Sequence, residues 1–197
     1  IKLNSMVKLT GLKKIRTAVF ISGTGSNLKN LIKFAKIKKS PISINLIASN
    51  TNKAKGLRFA QHFKIKKKIF DFKNIKVTED KMLKLLKKEK IRFICLAGFM
   101  KILSKDFIKK FDGKIINIHP SLLPKYKGLS THFKAINNKD KFSGCTIHYV
   151  TEKLDSGKII LQKKVKITAK DNPATLAKKI IKQEHKLYPA AIMKIFN

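Results

Sequence analysis

The sequence predicts an α/β domain: a doubly wound, mostly parallel sheet with a C-terminal antiparallel strand pair and a closing helix. Three observations predict it. Short apolar, β-branched runs alternate with amphipathic segments over residues 17–119, the pattern of a parallel sheet covered on both faces and wound right-handed. The first run ends in a glycine turn, Gly23-Thr24-Gly25-Ser26-Asn27, that opens a helical repeat. After residue 119 the alternation gives way to two strand-like runs and one long helical segment.

Taken in order, residues 17–22 (Thr-Ala-Val-Phe-Ile-Ser) form the first strand, and Leu28, Leu31, Ile32 and Ala35 recur at helical spacing behind the glycine turn. Strands are predicted at 42–48, 68–70, 93–97 and 115–119, with helices at 53–63 and 78–90. Residues 146–150 and 158–166 read as a strand pair joined by a loop holding Asp155 and Gly157. The closing helix covers 173–195, with Pro189 as the place where it would kink or split. Residues 16–197 are assigned to one domain, and 1–15 to an N-terminal extension expected to be disordered.

A chain of 197 residues is large enough to bury a core without disulfides or structural metal. Cys95 and Cys145 lie in apolar runs at a spacing that fits neither zinc nor redox motifs, as reduced core residues of a cytoplasmic protein would. No run approaches the ~18 apolar residues of a membrane span, so a soluble protein is expected. The formal charge of +35 raises the question of nucleic acid. Only Arg16, Arg58 and Arg92 of the 46 basic residues are arginine, the residue that forked phosphate and guanine contacts favour. The lysines spread over every predicted helix and loop, which points to a solvated surface and no specific nucleic-acid partner.

The glycine turn has two readings. Backbone N–H groups at the start of a helix can hold a phosphate, with Gly25, Ser26 and Asn27 as its ligands, or the turn is simply tight and caps the helix. It lacks the Lys-Ser/Thr of a P-loop and the third glycine of a dinucleotide fingerprint, which favours a monophosphate. Asn117 and His119 stand two apart on a predicted strand and project to one face, with Pro120 ending the strand behind them. An amide donor and an imidazole at an exposed strand end can both reach one developing oxyanion. Asp155 joins them only if its loop folds back over His119, where a carboxylate would orient the ring and favour its protonated form. His148 either lines the same face or is a satisfied sheet histidine. His62, His132 and His185 lack ligand-like spacing, and no metal is predicted.

Several stretches together resemble the phosphoribosylglycinamide formyltransferases, folate-dependent enzymes of purine synthesis with a Rossmann-like formyltransferase fold. They are Ile-Ser-Gly-Thr-Gly-Ser-Asn-Leu at 21–28, Leu-Ala-Gly-Phe-Met-Lys-Ile-Leu-Ser at 96–104, Asn-Ile-His-Pro-Ser-Leu-Leu-Pro-Lys-Tyr-Lys-Gly at 117–128, Leu-Asp-Ser-Gly at 154–157 and Gln-Glu-His-x-x-Tyr-Pro at 183–189. The resemblance runs from about residue 18 to 192. It implies transfer of formyl from 10-formyltetrahydrofolate to the amine of glycinamide ribonucleotide, with Asn117, His119 and Asp155 as the catalytic trio. It also implies that Gly25, Ser26 and Asn27 hold the nucleotide phosphate and Glu184 its ribose. Met100, Lys101, Ile102, Leu103, Asn117 and Val150 would contact the folate. The implied partners are those two small molecules, acting on a monomer or homodimer.

Five positions depart from the family pattern. Lys101 stands for a frequent Arg, Lys127 and Lys158 for frequent prolines, Ser130 for a frequent His, and Ile181 for a common ribose-binding Gln. Lys76 is the candidate for the basic contact to the folate tail. Formyltetrahydrofolate hydrolase, one alternative, would carry an amino-terminal regulatory domain and usually a second His where Pro120 stands. Methionyl-tRNA formyltransferase would need a further carboxy-terminal domain of roughly a hundred residues. A basic nucleic-acid-binding protein is the non-enzyme alternative, and it predicts salt-sensitive binding without formyl transfer.

Overall fold

A computed structural model describes residues 13–196. Its elements in chain order are β1 (Ile15–Ile21), α1 (Ser26–Lys36), β2 (Ile42–Ser49), α2 (Leu57–His62), β3 (Lys66–Ile69), α3 (Ile75–Lys88) and β4 (Phe93–Leu96). Then follow α4 (Lys105–Lys110), β5 (Lys114–His119), α5 (Thr131–Asn137), β6 (Phe142–Tyr149), β7 (Ile159–Lys166) and α6 (Pro173–Phe196). The strands make one sheet in the order β3-β2-β1-β4-β5-β6-β7. The first five are parallel, and β6 and β7 are antiparallel, as the change of pattern after residue 119 predicts.

Alternation along the strands explains why they read as unbroken apolar runs. Val19 and Ile21 of β1, Phe93 and Cys95 of β4, and Ile116 and Ile118 of β5 pack with α1, α2, α5 and α6. Ala18, Phe20, Ile94, Leu96 and Ile115 face the opposite way, toward α3 and α4. Both faces are therefore core, and each fully buried Leu, Ile or Phe contributes about 1.5–3 kcal/mol before entropy is counted. From β1 the chain winds out to β3, then returns to place β4 on the other side of β1. Such a reversal leaves a crevice beyond the carboxyl ends of β1 and β4.

Four features differ from the expectation. Helix α2 starts at Leu57, not 53, because the chain before it turns against the glycine loop: the Gly56 N–H donates to Gly23 O at 3.0 Å. A Cβ on Gly25, whose φ is +76°, would lie 2.6 Å from the Gly56 Cα. Helices α4 and α5 have no counterpart in the periodicity, since each buries few side chains, Phe107 on one and Thr131 and Ala135 on the other. Strand β6 starts at Phe142, four residues before the predicted one. Finally, α6 is not split at Pro189 but continues through it as one helix. Proline has no N–H for the carbonyl four residues back, and that carbonyl, His185 O, instead receives the Asn30 side-chain amide at 2.6 Å.

The two edge strands are rich in lysine: Lys66, Lys67 and Lys68 on β3, and Lys163, Lys164 and Lys166 on β7. Of the expected extension, Ile15 opens β1 and pairs with Ile42, while residues 1–12 lie outside the described residues. Cys95 and Cys145 are free and buried, and burial pushes both thiols up, Cys145 to about 12. Among the described residues no helix is long and apolar enough to cross a membrane.

Candidate active site

A cleft of about 960 Å³ opens at the carboxyl ends of β1, β4 and β5. Segments 22–27, 96–103, 117–120, 128–133 and 150–155 line it, together with His148, Pro173, Ala174, Ile181 and Glu184. Every site residue expected from the sequence lies on its wall. Lys76, on the first turn of α3, does not.

The polar centre is built on β5. Ile115, Asn117 and His119 share a face, but Ile115 is covered by the α3 side of the core, so of that face only Asn117 and His119 reach the cleft. Antiparallel pairing sets His148 opposite Asn117, and the Asn117 Nδ2 approaches His148 Nε2 at 3.3 Å. The loop after β6 folds back, so the condition on Asp155 is met. Its Oδ2 lies 3.3 Å from His119 Nδ1 and its Oδ1 3.6 Å from His148 Nε2, all three side chains being buried. The Gly128 N–H donates to Asp155 Oδ2 at 2.9 Å. Thus His148 belongs to the site face, the first of its two readings.

His119 has both ring nitrogens turned to acceptors, since Nε2 lies 2.8 Å from Tyr126 O while Nδ1 faces Asp155. A neutral ring carries one proton and satisfies one of them; an imidazolium satisfies both. Burial opposes that charge and holds the His119 pKa below its ordinary value, although the Tyr126 carbonyl and Asp155 pull it upward. Burial would raise the Asp155 pKa, but hydrogen bonds from His148 and the Gly128 N–H, with the charge on His119, keep it below the usual carboxylate value. The pair is a buried carboxylate facing a ring that has room for a second proton.

At the other end of the cleft, α1 begins at the glycine turn with no side chain capping it. Its first turns present Ser26, Asn27 and Asn30 to α6. Ser26 Oγ lies 2.8 Å from His185 Nε2, and Asn27 Nδ2 donates to Glu184 Oε2 at 2.7 Å. The Asn27 Oδ1 is buried without a partner among the described residues. Burial raises the Glu184 pKa against the Asn27 hydrogen bond, and burial lowers that of His185. Uncapped N–H groups at a helix start beside the Ser26 hydroxyl suit an anion.

Much of the remaining wall is apolar. Met100 and Ile102 are 63% and 68% exposed, and Leu129, Phe133 and Leu154 add to this lip, whereas Leu103 is buried. Apolar side chains left open around a cleft mark a ligand surface.

Sequence reasoning missed His185 and His132. His132 lines the cleft with a buried Nδ1 that lacks a partner among the described residues, and burial lowers its pKa. For His185 a signal existed: Ser26, Asn27 and Asn30 place polar groups on a helix face that must pack against something. Among the described residues no group of three or more His, Cys, Asp or Glu is placed to hold a metal.

The model of the formyl transferase family matches residues 15–192. Phosphoribosylglycinamide formyltransferase of Haemophilus influenzae is 40% identical over 92% of this chain and 86% of its own length. The human trifunctional purine biosynthetic protein adenosine-3 is 42% identical over 93% of this chain, which spans only 18% of that relative. Among solved structures, phosphoribosylglycinamide formyltransferase from Brucella melitensis superposes with a TM-score of 0.88 at 41% identity, covering 93% of this chain and 96% of its own. With the family model matched along almost all of the described fold, the chain belongs to the formyl transferase family.

Proposed function

We propose that the protein transfers the formyl group of 10-formyltetrahydrofolate to the amine of 5′-phosphoribosylglycinamide in purine synthesis. The carrying observation is the arrangement of one cleft: Asn117, His119 and Asp155 stand between an uncapped helix start and an apolar lip. An anionic nucleotide and a co-substrate with a broad ring system are thereby brought together over the polar centre. Gly25, Ser26 and Asn27 bind the phosphate and Glu184 the ribose. Met100 to Leu103 and Val150 flank the pterin, with Asn117 reaching both substrates.

The amine attacks the formyl carbon, forming a C–N bond and a tetrahedral oxyanion that Asn117 and a cationic His119 stabilise. For His119 Nε2 to serve that oxygen it must give up the Tyr126 carbonyl. The C–N bond to the folate then breaks, and the proton lost by the attacking amine passes to the departing nitrogen, assisted by Asp155 and a water. Holding both substrates together supplies most of the rate.

The setting we propose is cytoplasmic, and we assign no nucleic-acid partner. Lysine pairs stand in the last turns of α1, α3 and α4, and Lys194 in that of α6, where they complement the negative ends of helix dipoles. The deciding assay incubates the protein with both substrates and follows formylated nucleotide and tetrahydrofolate. Equimolar formation of the two is expected. Rapid formate release without nucleotide would reassign the protein to the hydrolases.

A further inference from the structure

The loop that carries Asp155 is not held by burial. Of residues 151–158, only Asp155 and Gly157 are buried, and Leu154 stays half exposed. Its ends are tied to the sheet by Val150 N–H to Ile115 O at 2.9 Å and Tyr149 N–H to Lys158 O at 3.0 Å. Between them Asp155 adopts φ +46°, a left-handed conformation that a residue with a side chain seldom holds without support.

Two lysines from different elements grip this loop on either side of Asp155. Lys105, the first residue of α4, places Nζ 2.8 Å from Glu152 Oε2. Lys127, in the turn after β5, donates to Ser156 Oγ at 2.6 Å, and that hydroxyl donates in turn to Leu154 O at 2.8 Å. One anchor comes from the apolar-lip side of the cleft and the other from the segment that follows the strand bearing His119. Released at one point, the loop would keep its tied ends, the other anchor and the contacts of Asp155, with less to hold the segment between them.

We propose that Lys105 and Lys127 are positioning residues, which hold the 150–158 loop closed so that Asp155 stays on His119 while the cleft is empty. Neither lysine touches the reacting atoms. They act by raising the fraction of molecules whose loop is ready, which lowers the apparent KM for the ligand under that loop by the same factor. Both contacts are solvent-exposed, an ion pair for Lys105 and a bond to a neutral hydroxyl for Lys127, so each is expected to shift the loop by about two- to fivefold, within the upper bound that exposed ion pairs set. The kinetic half of the proposal rests on the formyl-transfer reading, whereas the structural half does not.

The test uses the full chain with K105E, E152K, the double variant K105E/E152K, and K127M. Hydrogen exchange of the ligand-free proteins is followed over residues 150–158, with β1 and β4 as internal controls of intact folding. Faster exchange of the loop alone is expected in K105E, E152K and K127M, with return toward the unaltered rate in the charge-swapped double variant. In the transfer assay, KM for 10-formyltetrahydrofolate should rise two- to fivefold in the single variants while KM for the nucleotide holds within twofold. Unchanged loop exchange in K105E and K127M, or a double variant as fast as its parents, overturns the proposal. If the unaltered protein transfers no formyl group, the functional reading fails and the exchange measurement still decides the anchors.

Discussion

His119 meets Asp155 through Nδ1 at 3.3 Å while its other nitrogen is already committed to the Tyr126 carbonyl, so the contact between ring and carboxylate is complete only when the ring carries two protons. Asp155 also accepts from the Gly128 N–H, and an asparagine oxygen can keep that bond without the charge. In Asp155→Asn, kcat should therefore fall on the order of a hundredfold or more, as for loss of a positioned acid–base group, with dissociation constants for both substrates nearly unchanged. A near-normal kcat across the histidine titration range would falsify the role given to this carboxylate.

At the helix start, the informative change is Ser26→Ala. Replacing Gly25 would not separate binding from folding, because any Cβ there strikes Gly56. Loss of the Ser26 hydroxyl removes a hydrogen-bond donor to a charged phosphate, worth about 1.5–3 kcal/mol. The KM for the nucleotide should rise about tenfold or more, and that for the folate should stay put. Equal changes in both constants would move the phosphate elsewhere.

A third outcome concerns the helix that crosses a proline. With Asn30→Ala, the His185 carbonyl loses the partner that substitutes for the missing N–H of Pro189, and the cost is about 1–3 kcal/mol. In a chain of this size each kcal/mol lowers Tm by about 2–4 °C. The double variant Asn30→Ala/Pro189→Ala restores a main-chain donor and should lose less than Asn30→Ala alone. Simple additivity in that cycle would refute the compensation.

Acid should weaken the fold through its histidines. Burial lowers the pKa of His119, His132 and His185, so the unfolded chain takes up those protons more readily than the folded one. Their contribution is fully present above the unfolded value of about 6.5 and is lost as pH falls through the folded values. Glu184, whose pKa burial raises, acts in the opposite sense above the ordinary carboxyl value of 4.5, so the test is a difference. The drop in Tm between pH 7.5 and 5.5 should shrink in His132→Asn. An identical drop in both proteins would remove His132 from the account.

Much of this was legible from residue order. The runs around Val19, Ile47, Ile94 and Ile116 announce buried parallel strands because both of their faces are core. Asn117 and His119 were readable as a pair because strand geometry alone puts them on one face. Contacts made by distant segments were not legible from local pattern. No local rule brings His185 to Ser26, 159 positions away, or makes Asn30 the partner of a carbonyl that Pro189 leaves open. Helices α4 and α5 are too short for a periodicity; only the cap at Ser104, whose hydroxyl accepts from the Phe107 N–H, marks the first of them.

The lysines on β3 and β7 bear on how the protein behaves in a crowd. An open sheet ends in two rows of unsatisfied backbone groups, each a template for another strand. Here both rows carry three positive charges, so a second copy approaching edge to edge meets its own sign. That protection is electrostatic and weakens as salt shortens the screening distance from about 10 Å at 0.1 M to about 3 Å at 1 M. Solutions of this protein should accordingly stay clear at low ionic strength and form β-rich aggregates first when salt is raised or the lysines are acetylated, the reverse of a protein kept apart by shape.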